Sequence, residues 1–214
     1  MHPRRPVPWF TALIVLLTLL AWFFPVVSGM LIFDRTAILH GQIWRLWTGH
    51  VCHFSGSHLL WDLLATALAS AWIEMAAFPG RRCLWLMAPP FISVALLLSE
   101  PALQFYGGLS GLATAGMTFA CLGELRRPDS NRRFWQIILA LVAVKTGWEF
   151  FSGETLFARF GSAPVRAVPL SHAAGAAAAL WVAAIYRRRN LPIKYFSQFC
   201  GQPPRHRTCG DPTP

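Results

Sequence analysis

Charge is scarce in this chain: Asp, Glu, Lys and Arg make up 13% of its 214 residues, against 55% hydrophobic residues. A soluble domain carries about 25% charged residues, so a purely water-facing globule is excluded. Paired cysteines are lacking as well. The five cysteines stand at 52, 83, 121, 200 and 209 with no CxxC spacing, which removes the signature of a disulfide framework or a thiolate metal site. Cys52 would lie on the outer side of a membrane, Cys83 and Cys121 near the inner ends of apolar runs, and Cys200 and Cys209 in a cytoplasmic tail. No internal repeat is present, which weakens a secondary-transporter reading. The two arginines ahead of the first apolar run resemble a signal peptide, yet no A-x-A site follows, and the run is expected to be retained.

What the chain has instead is apolar length, with ten tryptophans and a mean hydropathy of +0.44. Runs extend from Trp9 to Phe33, His58 to Phe78, Cys83 to Ser99, Gly108 to Gly123, Phe134 to Phe151 and Leu170 to Tyr186. Each approaches the roughly 20 residues that cross a bilayer core as a helix. The expected class is all-α: a polytopic membrane bundle of six transmembrane helices.

The net charge of +10 raises nucleic acid, but the positions of the cations matter more than their sum. Fourteen (Arg4, Arg5, Arg81, Arg82, Arg126, Arg127, Arg132, Arg133, Arg187, Arg188, Arg189, Lys194, Arg205, Arg207) fall on one side of six spans, and four (Arg35, Arg45, Arg159, Arg166) on the other. That asymmetry is a positive-inside pattern, with both termini cytoplasmic and the lipid bilayer, not nucleic acid, as the partner. Residues 1–8 are then a cytoplasmic N-terminus, 9–188 the six-helix core and 189–214 a cytoplasmic tail, rich in Pro, Gly and Arg, that is expected to be disordered. Pro89 and Pro90 should bend the third span. The loop from Asp34 to Ser57 is amphipathic, with Trp44 and Trp47 as interfacial anchors and Arg45 snorkelling or bonding backbone carbonyls.

Polar side chains at membrane depth are costly and are candidates for function. The second run supplies His58, Asp62, Thr66, Ser70 and Glu74 at steps of four, one inward stripe of a helix. Thr66, Ser70 and Glu74 are equally well read as interior glue. Ser110 stands in FYGGLSGLATAG, three residues into the fourth run, and His172 one turn into the sixth, so both start at similar depth on the same side. Gly107, Gly111 and Gly116 face Ser171, Gly175 and Ala179 as small-residue stripes that let two helices touch. Close packing alone is a sufficient account of such a serine. A serine beside a histidine on apposed helices is also the minimum for nucleophilic catalysis. No acidic third member is evident in the sixth run, and a dyad suffices if packing orients the imidazole. Lys145 and Glu149 are one turn apart and can pair, as simple charge neutralisation.

Four motifs in order, WRLWTGH at Trp44 and Arg45, HFSGSHLLWD, GGLSG and SHAAG, give the chain a resemblance to the rhomboid intramembrane serine proteases over residues 9 to 188. That family's pattern is WR in the first outer loop, H-x4-H-x3-N, G-x-S-G and H-x2-G, and Glu74 falls where the family tends to have a glutamate. The resemblance implies Ser110 as nucleophile and His172 as general base. It implies His58, with the Ser110 backbone N–H, as oxyanion donor, and His53 as a brace of the first loop. Gly108 and Gly175 would permit close approach. Trp148, Phe150 and Phe151 would be gate residues of the fifth span, although an ordinary aromatic belt explains them as well. Substrates would be transmembrane proteins, with no cofactor and no metal. The membrane would be a bacterial inner membrane, with the site opening to the periplasmic or extracellular side.

Two positions depart from the pattern. Asp62 replaces an asparagine, and an ionised carboxylate repels an oxyanion. Either desolvation keeps it neutral as a donor, or it pairs with His58 and makes that imidazole a charged donor, which the i to i+4 spacing favours. Thr114 stands where many members have a tyrosine that packs on the histidine. Within the family, the small core and the runs WRLWTGH and HLLWD are similar to the rhombosortase branch, whose members are thought to process exported proteins with a GlyGly-CTERM tail. Two rivals remain. One is an inactive rhomboid-like protein that binds membrane helices, although such proteins usually lose the serine or the histidine. The other is a metal or haem site of His50, His53 and His58, whose spacing is irregular.

Overall fold

The computed structural model describes residues 7–153 and 168–188. The expected cytoplasmic tail 189–214, most of the N-terminal segment 1–8, and Arg159 and Arg166 of the fifth loop lie outside the described residues. Among the described residues the chain forms nine α-helices and one two-stranded ribbon.

The first apolar run does not continue to Phe33 as expected. α1 (Trp9–Phe23) ends where Phe24 turns extended ahead of Pro25, and α2 (Pro25–Leu31) leaves at 117° to it. The cause is local. Pro25 has no N–H to donate to Ala21, and its ring disfavours helical dihedrals at Phe24. At its start α1 has no capping side chain of its own. Glu74, from the far end of the second run, accepts from the N–H groups of Phe10 and Thr11 (2.9 Å each) and from the Thr11 hydroxyl (2.7 Å). A carboxylate there meets orphan donors and the positive end of the helix, so Glu74 is a structural anchor.

Beyond α2, β1 (Phe33–Asp34) pairs antiparallel with β2 (Phe105–Tyr106), Phe33 opposite Tyr106. The first outer loop then folds through α3 (Arg35–Leu39), α4 (Arg45–Thr48) and a 3-10 turn at Gly49–Val51. Arg45 is buried, and its guanidinium donates to the carbonyls of Gly29 (3.0 Å) and Ile32 (2.6 Å), while the Thr48 hydroxyl donates to Leu31 (2.7 Å). These are the carbonyls that α2 leaves open at its C-terminus. Arg45 therefore bonds backbone, one of the two alternatives open to it from sequence.

Four long helices follow with α5 (Gly56–Met75), α6 (Arg81–Ser99), α7 (Ser110–Glu124) and α8 (Arg132–Ser152), and α9 (Pro169–Arg188) comes last. α6, α8 and α9 are long and apolar enough to cross a membrane, and the bent pair α1–α2 is a fourth candidate span. α5 is as long but is diluted by its polar stripe. α7 has 15 residues, about 22 Å of helix. Eleven of them are buried, so α7 is the central post around which α5, α8 and α9 pack.

Pro89 and Pro90 do not interrupt α6. Pro90 deprives the Leu86 carbonyl of its helical donor, and the indole N–H of Trp47 takes that place at 3.0 Å. Nearby, buried His50 has Nε2 3.0 Å from the Pro89 carbonyl and 3.1 Å from the Ser93 hydroxyl, whose own proton goes to Leu46. Nε2 therefore carries hydrogen, and His50 ties the loop to α6. Burial pushes His50 down to about 4 from the usual 6.5, and the hydrogen bond with the Pro89 carbonyl opposes this only in part.

The α7–α9 seam is backbone against backbone. A Cβ on Gly175 would collide with the Gly111 carbonyl, and one on Gly111 would stand 2.9 Å from the Ser171 carbonyl. Of the three α7-side glycines expected to face α9, only Gly111 does. Gly107 abuts the Cys52 carbonyl and Gly116 abuts Trp85 and Ala69.

Two outcomes are expected from this frame. Gly175→Ala should lower the thermal midpoint in detergent by the equivalent of about 1–3 kcal/mol. Gly147→Ala, where nothing lies within 4 Å, should not lower it. His50 resists protonation in the folded state more than in the unfolded one, so its contribution is intact above pH 6.5 and is lost as pH falls toward 4. The loss is about 3 kcal/mol by linkage. The thermal midpoint should fall accordingly as pH is lowered from 7 to 4, and His50→Gln, which keeps a donor for Pro89 without titrating, should flatten that part of the dependence.

Candidate active site

Ser110 is the first residue of α7, two residues nearer the helix start than the run from Gly108 to Gly123 implies. Its hydroxyl stands at a helix N-terminus, where the leading N–H groups lack intrahelical acceptors and the dipole favours negative charge. The Gly111–Ser171 backbone contact brings the neighbouring residues together across the seam, Ser110 on α7 and His172 on α9. Tyr106, buried at the β2 end, donates its phenol proton to the Gly108 carbonyl at 3.4 Å, two residues before Ser110. Burial pushes that phenol up, so it remains a donor. Tyr106 was not singled out from sequence, since a lone tyrosine ahead of a glycine pair carries no periodic signal.

His172 is buried, and its Nδ1 lies 2.7 Å from Oε2 of Glu149. The same oxygen accepts from Lys145 Nζ at 2.7 Å. An acidic partner for the histidine is thus present, on α8 and not on the sixth run where it was sought. The Lys145–Glu149 pair exists as the spacing predicted, yet it is one arm of a three-group cluster. Thr114, in place of a stacking tyrosine, turns back to hydrogen-bond the Ser110 carbonyl at 2.9 Å.

Across the site, Asp62 Oδ2 lies 3.0 Å from His58 Nε2 and 3.3 Å from His53 Nε2. The i to i+4 contact with His58 is the one that the spacing favours. His53 holds the loop through Nδ1 to the Val51 carbonyl (3.2 Å), and its Nε2 accepts from the Leu109 N–H (3.4 Å), beside Ser110. Gly108 lies against this group. Its φ is +128°, and a Cβ there would stand 2.6 Å from His58 Nε2 and 3.1 Å from Asp62 Oδ2. Both conformation and space exclude a side chain at 108.

His53, His58 and Asp62 also converge as ligand atoms within 4.8 Å of one another. His50, in the 3-10 turn, bonds to α6 and does not join them, so among the described residues the triple His50, His53 and His58 is not a cluster. Trp148, Phe150 and Phe151 stand in the C-terminal part of α8 and are exposed, Phe151 at 90%. Thr66 and Ser70 are buried in the inward stripe, Ser70 2.9 Å from the Thr11 hydroxyl. At the opposite end, α8 meets α5 through Trp135 and Trp72, ring centres 5.3 Å apart, beside an apolar cleft lined by Leu68, Met117, Phe134 and Ile138.

Residues 40–189 match the family model of the Rhomboid domain. No curated protein is significantly similar to the chain. Because that domain spans more than half of the chain and coincides with its apolar helices, the protein is an integral membrane protein that belongs to the rhomboid family, whose members are intramembrane serine proteases acting on transmembrane substrates in the bilayer.

Proposed function

We propose that this chain is an active intramembrane endopeptidase in which Ser110 attacks the scissile carbonyl and His172 is the general base. The observation that carries the reading is the α7–α9 seam, where a serine at a helix N-terminus and a buried histidine flank a backbone contact too close for any side chain. In acylation His172 takes the hydroxyl proton as Ser110 Oγ bonds to the carbonyl carbon, then returns it to the leaving amine. Water hydrolyses the acyl-enzyme by the reverse proton path. The Ser110 N–H and His58 stabilise the oxyanion, and Asp62 keeps His58 oriented and polarised through the 3.0 Å contact.

In this reading six spans cross a bacterial inner membrane, both termini are cytoplasmic, and residues 9–188 form the protease core. The site opens to the periplasmic or extracellular side, and α8 with Trp148, Phe150 and Phe151 borders the path by which a substrate helix arrives from lipid. The substrates are membrane-anchored proteins, and the runs WRLWTGH and HLLWD support the C-terminal sorting segments of exported proteins, as in rhombosortases.

Ser110→Ala should abolish labelling by a fluorophosphonate probe and cause uncleaved membrane proteins to accumulate in the native cell. Identical membrane proteomes in expressing wild-type and Ser110→Ala cells would favour an inactive helix-binding protein instead. On a transmembrane peptide that the wild type cleaves, His58→Ala should lose about 10²- to 10³-fold in kcat. Asp62→Asn should be impaired with an altered pH profile; full activity at every pH would remove Asp62 from the oxyanion site.

A further inference from the structure

We propose that Glu149 is the positioning carboxylate of His172, supplied by α8 and tuned by Lys145, so that the reacting pair works as a Ser–His–Glu set. The inference rests on the reading of Ser110 and His172 as that pair.

Among the described residues of α8, a helix of 21, Glu149 is the single buried one, at 2% exposure. A carboxylate enclosed in a membrane bundle requires partners. Among the described residues, His172 Nδ1 and Lys145 Nζ both lie on one of its oxygens, each at 2.7 Å. The carboxylate favours the tautomer with its proton on Nδ1, and the two atoms are close without a well-aligned hydrogen bond between them. The other ring nitrogen, Nε2, is then the lone-pair base that a serine hydroxyl needs. Thr114, where a ring-stacking side chain would stand, is engaged with the Ser110 carbonyl instead.

The surrounding charges make the electrostatics readable. α6 offers no ionisable side chain between Cys83 and Glu100, and α7 none between Ser110 and Cys121. Tyr106 is bonded to the Gly108 carbonyl. The cluster of His53, His58 and Asp62 lies on the Gly108 side. Among the described residues, Glu149 lies at Nδ1 and Lys145 lies on Glu149. The carboxylate stabilises an imidazolium, and the ammonium offsets that carboxylate.

The test uses full-length protein in detergent on a transmembrane peptide that the wild type cleaves. Glu149→Gln should lower kcat by about 10²- to 10⁴-fold with KM little changed, and the acid limb of kcat/KM should move to lower pH. Glu149→Asp should recover part of kcat. Lys145→Met should move the acid limb the opposite way, to higher pH, a sign reversal that a merely structural role would not give. Glu149→Gln with wild-type kcat and an unmoved limb overturns the proposal. Should that variant not fold, Lys145→Met decides, and an unmoved limb again overturns it. An inactive Ser110→Ala beside a fully active Glu149→Gln removes Glu149 alone, whereas an active Ser110→Ala removes the reacting pair.

Discussion

The contact on which the rest of this molecule depends is the approach of α9 to α7 at Gly175 and Gly111. Apolar side chains give little net attraction between helices in lipid, so association relies on close packing and on polar pairing. Here the packing is as close as backbone permits, since a methyl group on Gly175 would overlap the Gly111 carbonyl. That seam sets the depth of residues 110 and 172 together. It also explains why α7 can be short: enclosed by α5, α8 and α9, it is never asked to present a full apolar surface to lipid.

Polar pairing does the remaining assembly, and it follows the defects of the backbone. α1 lacks a cap and Glu74 supplies one. The end of α2 leaves carbonyls open, and Arg45 and Thr48 close them. Pro90 orphans the Leu86 carbonyl, and Trp47 replaces the missing donor. In a bilayer core no water substitutes for these bonds, so each defect demands a side chain from elsewhere in the chain. The outer loop is therefore a structural part fastened by its polar residues to α2 and α6. Its second role follows from the first, because His53 and the 3-10 turn come to rest beside Leu109 and Gly108, at the threshold of Ser110.

Sequence alone made the apolar helices, the inward stripe of α5 and the approach of the fourth and sixth runs at Gly111 and Gly175 legible, because each rests on a period or on a motif with fixed spacing. The His58–Asp62 contact was legible for the same reason. The break at Phe24 was available in principle from Pro25, but the run of hydrophobic residues on either side outweighed it. Tyr106 and the Glu149–His172 contact were not legible. Each depends on how elements distant in sequence are apposed, and the Glu149–Lys145 spacing already offered a local explanation that hid the third partner. A salt bridge at i and i+4 looks complete when read along one helix, although a carboxylate can accept several bonds.

That Glu149 belongs to the least embedded helix has a physical consequence. α8 is held by Trp135 against Trp72 at one end and by a buried carboxylate at the other, with an apolar cleft between it and the bundle. Hydrophobic packing in lipid restrains such a helix weakly, because lipid tails satisfy its apolar face as well as protein does. The Glu149–His172 contact therefore carries a disproportionate share of the force that seats the outer end of α8. Any movement that separates α8 from α9 must break the same contact that holds the Glu149 carboxylate beside His172 Nδ1. Seating the helix and placing that carboxylate against the imidazole are, in this geometry, one event.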